Sequence, residues 1–262
     1  MQKRYFRKCA LLLLPSFLGV AVFYLIPFLR VIYYSLIENQ FSKKFVWFEN
    51  YKTVLQNTYF RMALKNSLLL IGIAVPILVV AAFFLSVLLQ HLNGKWKLLR
   101  IAFIFPMLIP TASIVVVWRF LFQENDSVLP VYLLFIYKNI GLLIILFSAA
   151  FSTLESSVFE AARLDGAGGL RIHIRITLPL IFPTVLFNVL LAVVYSFKIY
   201  RESYLYFGTN YPPDHSYTLQ YYMNNHFMKL NYQYLAAGAV ITSLLVYFVV
   251  LVGVKIQKKV SA

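Results

Sequence analysis

Acidic residues are scarce in this chain. Asp and Glu number 9 among 262 residues, and charged residues of both signs reach only 13%. That is about half the usual share for a soluble domain, and it excludes a disordered polyelectrolyte. Cysteine is limited to Cys9, so an intrachain disulfide scaffold is excluded. Cys9 stands where an apolar run begins and reads as a buried, inert thiol. A nucleotide-binding Walker A loop is missing: Gly94-Lys95 is followed by Trp96, not by the hydroxyl residue that would bind Mg²⁺. His91, His173, His215 and His226 show no ligand spacing, so no metal site is expected. There is no nucleophile–base pair, no repeat of fixed period, no low-complexity tract and no Pro/Gly/Ser linker. A simple soluble enzyme is excluded, and one integral domain over 1–262 is expected.

What is abundant is apolar. Hydrophobic residues make up 61% and aromatic residues 18%, with a mean hydropathy of +0.76. A soluble domain of this length cannot hide so much apolar surface, so the composition points to a multi-spanning membrane protein. The aromatics suit two interfacial belts. The net charge of +15 would point to nucleic acid in a soluble chain. Here the Lys and Arg excess fits cytoplasmic loops of a membrane protein, and no nucleic-acid partner is expected.

Six apolar runs have the length of roughly 20 residues that a helix needs to cross the hydrocarbon core. They are Cys9–Leu36, Ser67–Gln90, Leu98–Phe122, Val128–Thr153, Leu178–Tyr200 and Leu235–Val254. Pro15, Pro27, Pro76, Pro106, Pro110 and Pro183 fall in or near them, where kinks are expected. Lys3, Arg4, Arg7 and Lys8 precede the first run, and Lys95, Lys97 and Arg100 follow the second. Arg163, Arg171 and Arg175 follow the fourth, and Lys255, Lys258 and Lys259 follow the sixth. Alternating spans put all four groups on one side, which the positive-inside rule makes cytoplasmic, with both termini inside. Lys43, Lys44, Lys52, Arg61 and Lys65 oppose the rule locally, in the first outer segment. The first run is too long for a signal-peptide core and no small-x-small cleavage pattern follows it, so an uncleaved span is expected. Of the longer outer segments, 37–66 is expected to hold an interfacial helix, and 201–234 is rich in Tyr, Asn and Pro.

The loop over 155–177 carries the most information. Ser157 and Glu160 have capping-box spacing, which predicts a helix start. Ala161 and Ala162 favour the helix and are small enough for a partner surface to come close. Gly166, Gly168 and Gly169 end or bend it. Arg171 and Arg175, four apart, share a face of a second short helix. The expected product is a compact helix–turn–helix that docks into a groove on a soluble partner.

The pattern Glu160-Ala161-Ala162, then Gly166, then Ile176, Leu178 and Pro179 resembles the signature loop of membrane permeases in bacterial binding-protein-dependent ABC importers. Asp165, Ala167 and Thr177 resemble the fuller form found in the carbohydrate, maltose-type branch. Trp47-Phe48-Glu49-Asn50-Tyr51 is similar to a Gly-Leu-Asp-Asn-Tyr segment of sugar permeases, without its Gly and Leu. Phe60, Ala63-Leu64 and Asn66-Ser67 resemble the opening of the second span, and Phe105-Pro106 with Trp118 the third. Ser196-Phe197 and the polar stretch beyond resemble the region after the fifth span. Gly208-Thr209-Asn210-Tyr211-Pro212-Pro213 stands where a Gly-Gly-Pro is common, and the outer loop between the third and fourth spans is short for the family.

The resemblance implies an all-α type I importer permease with six transmembrane helices and a cytoplasmic coupling helix between the fourth and fifth. It implies a bacterial cytoplasmic-membrane location and a function as one permease subunit of an ATP-driven importer for a sugar, read as an oligosaccharide. A sugar phosphate or polyol is the nearer alternative, a passive channel or membrane anchor the more distant one. An intramembrane enzyme would need paired carboxylates, a histidine cluster or a nucleophile in the spans, and those are scarce. The implied partners are a second six-span permease, two cytoplasmic ATPases, an extracytoplasmic solute-binding protein, the sugar and membrane lipid. ATP and Mg²⁺ belong to the ATPase, and this chain binds no cofactor. Glu160, Ala161, Ala162, Arg163, Asp165, Gly166 and Ala167 form the implied ATPase-docking set, in which Glu160 meets a basic residue of the ATPase. Glu160 as a cap and Arg163, Arg171 and Arg175 as positive-inside charges are the structural readings beside it.

In the spans, Asn188 reads first as a hydrogen-bonding link between helices and second as a sugar contact. Tyr195 and Ser196 are candidates for the solute path, with an interfacial belt as the structural reading for the tyrosine. The hydroxyls of Thr111, Ser113, Ser148, Ser152, Thr242 and Ser243 can bond their own helix backbone. Lys198, Arg201 and Glu202 are expected to snorkel or pair at the interface.

Overall fold

A computed structural model of the chain describes residues 12–90, 96–123 and 126–260. Cys9, His91 and the basic residues Lys3, Arg4, Arg7, Lys8 and Lys95 lie outside the described residues. The fold among these residues is helical, with one isolated β-bridge between Ile37 and Phe45. Five helices are long and apolar enough to cross a membrane: Leu12–Ser35 (α1), Thr58–Gln90 (α3), Leu129–Phe151 (α6), Phe182–Phe207 and Tyr232–Lys259. A bent pair, Trp96–Leu108 (α4) and Thr111–Phe122 (α5), stands where the third span is expected. The two arms diverge by 102°. This departs from the single kinked run read from the sequence. Pro110 lacks the amide that would continue the helix and biases the residue before it away from helical geometry. Pro110 is itself extended, with ψ 131°, and acts as the N-cap of α5.

Four other prolines are accommodated in three ways. In α1 a π-helical turn at Ala21–Leu25 comes just before Pro27. A second π turn, His173–Thr177, comes just before Pro179. A proline ring collides with the carbonyl four residues back, and a widened turn moves that carbonyl away. Pro183 instead sits in the first turn of Phe182–Lys198 (α10), where its missing amide has no helical partner to lose. Pro76 lies inside the unbroken α3.

The chain divides into two units. In described residues, the first comprises 12–61 and 222–244. Here α1 exposes apolar side chains all round, Phe23 at 76%, as a helix facing lipid or other helices would. The expected outer helix is Glu49–Gln56 (α2). Asn50 donates through Nδ2 to the carbonyls of Ser35 (3.0 Å) and Ile37 (2.7 Å), tying α2 to the end of α1. The Tyr51 hydroxyl and Ser35 Oγ are 2.6 Å apart. Asn57 Oδ1 accepts from the Phe60 amide at 3.1 Å. That cap lets α3 begin nine residues before the apolar run does.

The second unit comprises 62–221 and 245–260. Its core is formed by Ala74, Leu78 and Ala82 of α3, Leu134, Leu143, Ile144 and Phe147 of α6, and Ala192 and Val193 of α10. Ala74 and Ala82, two turns apart on one face of α3, let helix backbones approach, and packing of this kind holds helices together in lipid. Ser86 Oγ lies 3.3 Å from the Ile144 carbonyl, a cross-helix contact. Gly141 permits the closest approach: a Cβ there would stand 1.9 Å from the Phe103 carbonyl oxygen of α4. In the N-terminal half of α3, Asn66 Nδ2 donates to the carbonyls of Asp214 (2.5 Å) and Tyr217 (2.9 Å), and Ser67 Oγ accepts from the Leu219 amide (3.0 Å). The Asn66-Ser67 motif thus pins the long polar segment before Leu219–Met228 (α12) to the top of α3.

Candidate functional site

Two assemblies in the second unit carry chemistry. The first is the loop after α6. Ser156–Leu164 (α7) is followed by Gly169–Ile172 (α8), the π turn and Leu178–Leu180 (α9). The helix starts earlier than the capping box predicts. Glu155 is the N-cap, in an extended conformation, and makes no side-chain cap bond. Ser157 is therefore already helical, and its hydroxyl turns back to Glu155 Oε2 at 3.4 Å. The capping role read for Ser157 and Glu160 is corrected accordingly.

The helix ends as its glycine requires. Gly166 has φ +76°. Its amide donates to the Arg163 carbonyl, and the Ala167 amide to the Ala162 carbonyl, each at 3.0 Å. This is the Schellman arrangement, which satisfies the last carbonyls through a left-handed residue. The turn divides the alanine pair. Ala162 is 8% exposed and seats α7 against its own unit, while Ala161 is exposed. Leu164 is 89% exposed, and Val158, Leu170 and Ile174 are exposed with it. Glu160, Arg163, Asp165, Arg171 and Arg175 are all exposed. Among the described residues Lys138 and Glu202 form the ion pair found, and none of these five charges takes part in it. An exposed apolar row edged by uncommitted charges has the make-up of a docking surface. Beneath it opens a cleft of about 460 Å³, lined by Glu160, Arg163, His173 and Thr177 and by Gln90 and Phe151 at the ends of α3 and α6.

The second assembly lies among the spans, and the sequence reading missed its centre. Lys138 is the tenth residue of α6, about 14 Å along it at 1.5 Å per residue. Its ammonium donates to Glu202 Oε1 at 2.5 Å and to Thr111 Oγ1 at 2.8 Å. The two charged side chains are only 15% and 14% exposed. Glu202 belongs to Tyr200–Phe207 (α11), and Thr111 opens α5 beside the Pro110 break. Three helices are joined at one ammonium. Glu202, expected to snorkel or pair at the interface, pairs within the bundle. A charged residue at such depth is costly unless paired, and marks a functional position. The available signal was a single lysine inside an apolar run. Beside the pair is a cavity of about 210 Å³, lined by Lys138, Asn139, Tyr195, Lys198 and Glu202 among others.

The three pathway candidates separate. Tyr195 lines this cavity, with Lys198 Nζ 5.0 Å from its ring centre. Ser196 is buried and donates to the Val193 carbonyl of its own helix at 2.7 Å. Asn188 is 0% exposed, and neither amide atom has a hydrogen-bond partner. Among the described residues Asn188 makes no bond to another helix, although it is fully buried.

Residues 96–261, more than half of the chain, match the family described as binding-protein-dependent transport system inner membrane component. The sn-glycerol-3-phosphate transport system permease protein UgpA of Yersinia pestis is 26% identical over 212 residues, covering 71% of this chain and 72% of that one. The arabinooligosaccharides transport system permease protein AraP of Bacillus subtilis is 26% identical, covering 93% and 86%. In fold, the chain is similar to a bacterial ABC transporter involved in the import of the acidic polysaccharide alginate. The TM-score is 0.79 at 19% identity, with 99% of this chain and 98% of that chain covered. A second structure, of an alginate ABC transporter in complex with an alginate pentasaccharide-bound periplasmic protein, gives the same TM-score over 98% and 96%.

Proposed function

The chain belongs to the inner-membrane components of binding-protein-dependent transport systems, and from that premise we propose that it is one permease subunit of an ATP-driven sugar importer. The solute is read as an oligosaccharide, in keeping with the arabinooligosaccharide relative. Both termini and the α7–α8 loop face the cytoplasm. There α7 docks into a soluble ATPase that carries the ATP and Mg²⁺, with Glu160 reaching a basic residue of that partner. A second six-span permease completes the pathway, a second ATPase chain completes the motor, and an extracytoplasmic binding protein delivers the solute. Closure of the ATPases moves α7 as a lever, and the bundle switches the side to which it opens.

One observation carries this reading. The loop is built by the Schellman turn and the seated Ala162, yet it exposes apolar side chains, and charges that no ion pair among the described residues satisfies. A sugar phosphate is the second reading, favoured by the relative named for sn-glycerol-3-phosphate and by the excess of lysine in the cavity. The test is gentle detergent isolation from the native membrane, with co-purifying chains identified by mass. A chain with a Walker A motif and a second six-span chain are expected. Recovery of the protein alone, even after crosslinking, would contradict the importer. Sugar uptake that persists after ATP depletion would favour a passive channel.

A further inference from the structure

The cavity beside the Lys138–Glu202 pair holds two ammonium groups and one carboxylate. Lys138 has three N–H donors. Two are committed, to Glu202 Oε1 and Thr111 Oγ1, and one is left. Lys198 faces the same cavity, and no carboxylate among the described residues pairs with it. Its contact is the Tyr195 ring, at 5.0 Å. Asn139 commits one side-chain N–H, to the Phe135 carbonyl at 2.7 Å, and retains the other. The cavity is thus net positive by one charge and supplied with unused donors.

From this arrangement we infer that the cavity is a subsite for an anionic group on the transported solute, a carboxylate or a phosphate, gripped by Lys198 and the free N–H of Lys138. The inference rests on the importer reading and narrows its solute to a sugar that carries negative charge. Glu202 has a definite part in it. By holding Lys138 at 2.5 Å it aims the ammonium and offsets half of the positive charge, so that an anion is held weakly enough to be released. Tyr195 supplies a flat face for the sugar ring next to the charge. An uncharged oligosaccharide leaves Lys198 without a counter-charge and gains nothing from it.

The test is uptake by right-side-out membrane vesicles containing the complete importer, with three probes: digalacturonate, glycerol 3-phosphate and uncharged arabinobiose. The wild type is expected to take up at least one of the anionic probes, and which one separates carboxylate from phosphate. Lys198 is exposed in the chain, so its substitution leaves folding intact. Lys198→Gln is expected to raise KM for that probe about tenfold, the worth of one hydrogen bond to a charged group, with the maximal rate retained. Lys198→Arg is expected to restore KM. Uptake of arabinobiose alone would overturn the inference and leave the importer standing. A fall in maximal rate with KM unchanged would assign Lys198 a structural role and overturn it too. Uptake of none of the three by vesicles that still hydrolyse ATP would remove the sugar reading and the inference together.

Discussion

Glu160 and Lys138 are charged residues on helices of the same unit, yet among the described residues only Lys138 has an ion-pair partner. Glu160 is exposed and makes no ion pair among the described residues; Lys138 is 15% exposed and shared between Glu202 and Thr111. The loop around Glu160 gets its shape from neighbours in sequence, through the Gly166 turn. The Lys138 cluster draws on positions 111, 138 and 202, brought together only by the packing of α5, α6 and α11. The first arrangement leaves charge available to a second protein. The second spends most of its charge on joining helices and leaves a small surplus facing a cavity. A residue that serves the fold is recognised by its satisfied bonds, and one that serves a partner by their absence.

Substitutions can break this contrast, beginning with the largest effect on stability. Lys138→Leu or Glu202→Leu alone should destabilise the chain by about 3–5 kcal/mol, because each leaves a buried charge without its counter-ion. The double variant Lys138→Met/Glu202→Leu should recover most of that loss. Thermal unfolding in detergent checks all three, and equal losses from single and double variants would deny the pairing. Gly166→Val should cost about 1–2 kcal/mol locally, since a side chain is forced into left-handed geometry. Transport coupling should fall with it while the bundle stays folded, as circular dichroism and ATP-driven uptake would show. Asn188→Leu should be neutral or stabilising by about 1 kcal/mol, because it removes two buried polar atoms that have no partner; a clear loss of melting temperature would reveal a bond to Asn188.

The smallest effect is a pH dependence in the first unit. Burial, assisted by the Lys229 charge, holds the His226 pKa below its ordinary 6.5. His226 Nδ1 has no hydrogen-bond partner, and the ring packs against Tyr222 and Tyr234. The folded state therefore binds the proton less readily than the unfolded state does. The stability contribution is fully present above pH 6.5 and is lost as pH falls from there toward the folded pKa. Melting temperature should decline over that window in the wild type and less in His226→Phe. An identical slope in both would assign the pH dependence to other groups.

What the sequence disclosed follows the same division. The apolar runs announced the spans, and the α7 loop could be read almost whole, because Ala161, Ala162 and Gly166 act through local backbone rules. Its error, the capping box, reflects an N-cap at Glu155, two residues before Ser157. Lys138 escaped because its partners lie 27 and 64 residues away, and no periodicity marks them. Pro106 and Pro110 announce a disturbance in the third run, but not the 102° angle between its arms. Gly141 looked like any glycine in an apolar run until α4 was seen to cross it. Asn66 and Ser67 are legible as a motif, whereas their work of holding the 214–219 segment appears only in the fold.

The most direct test of the account compares wild type and Glu160→Lys, reconstituted with the co-purified partner chains in lipid vesicles. Melting temperature, ATP hydrolysis and sugar accumulation would be measured on the same preparations. Glu160 is exposed and makes no ion pair among the described residues, so the account predicts an unchanged melting temperature together with lost accumulation, through uncoupled hydrolysis or loss of the ATPase from the complex. Wild-type accumulation by Glu160→Lys would contradict the claim that this loop transmits the work of ATP to the spans.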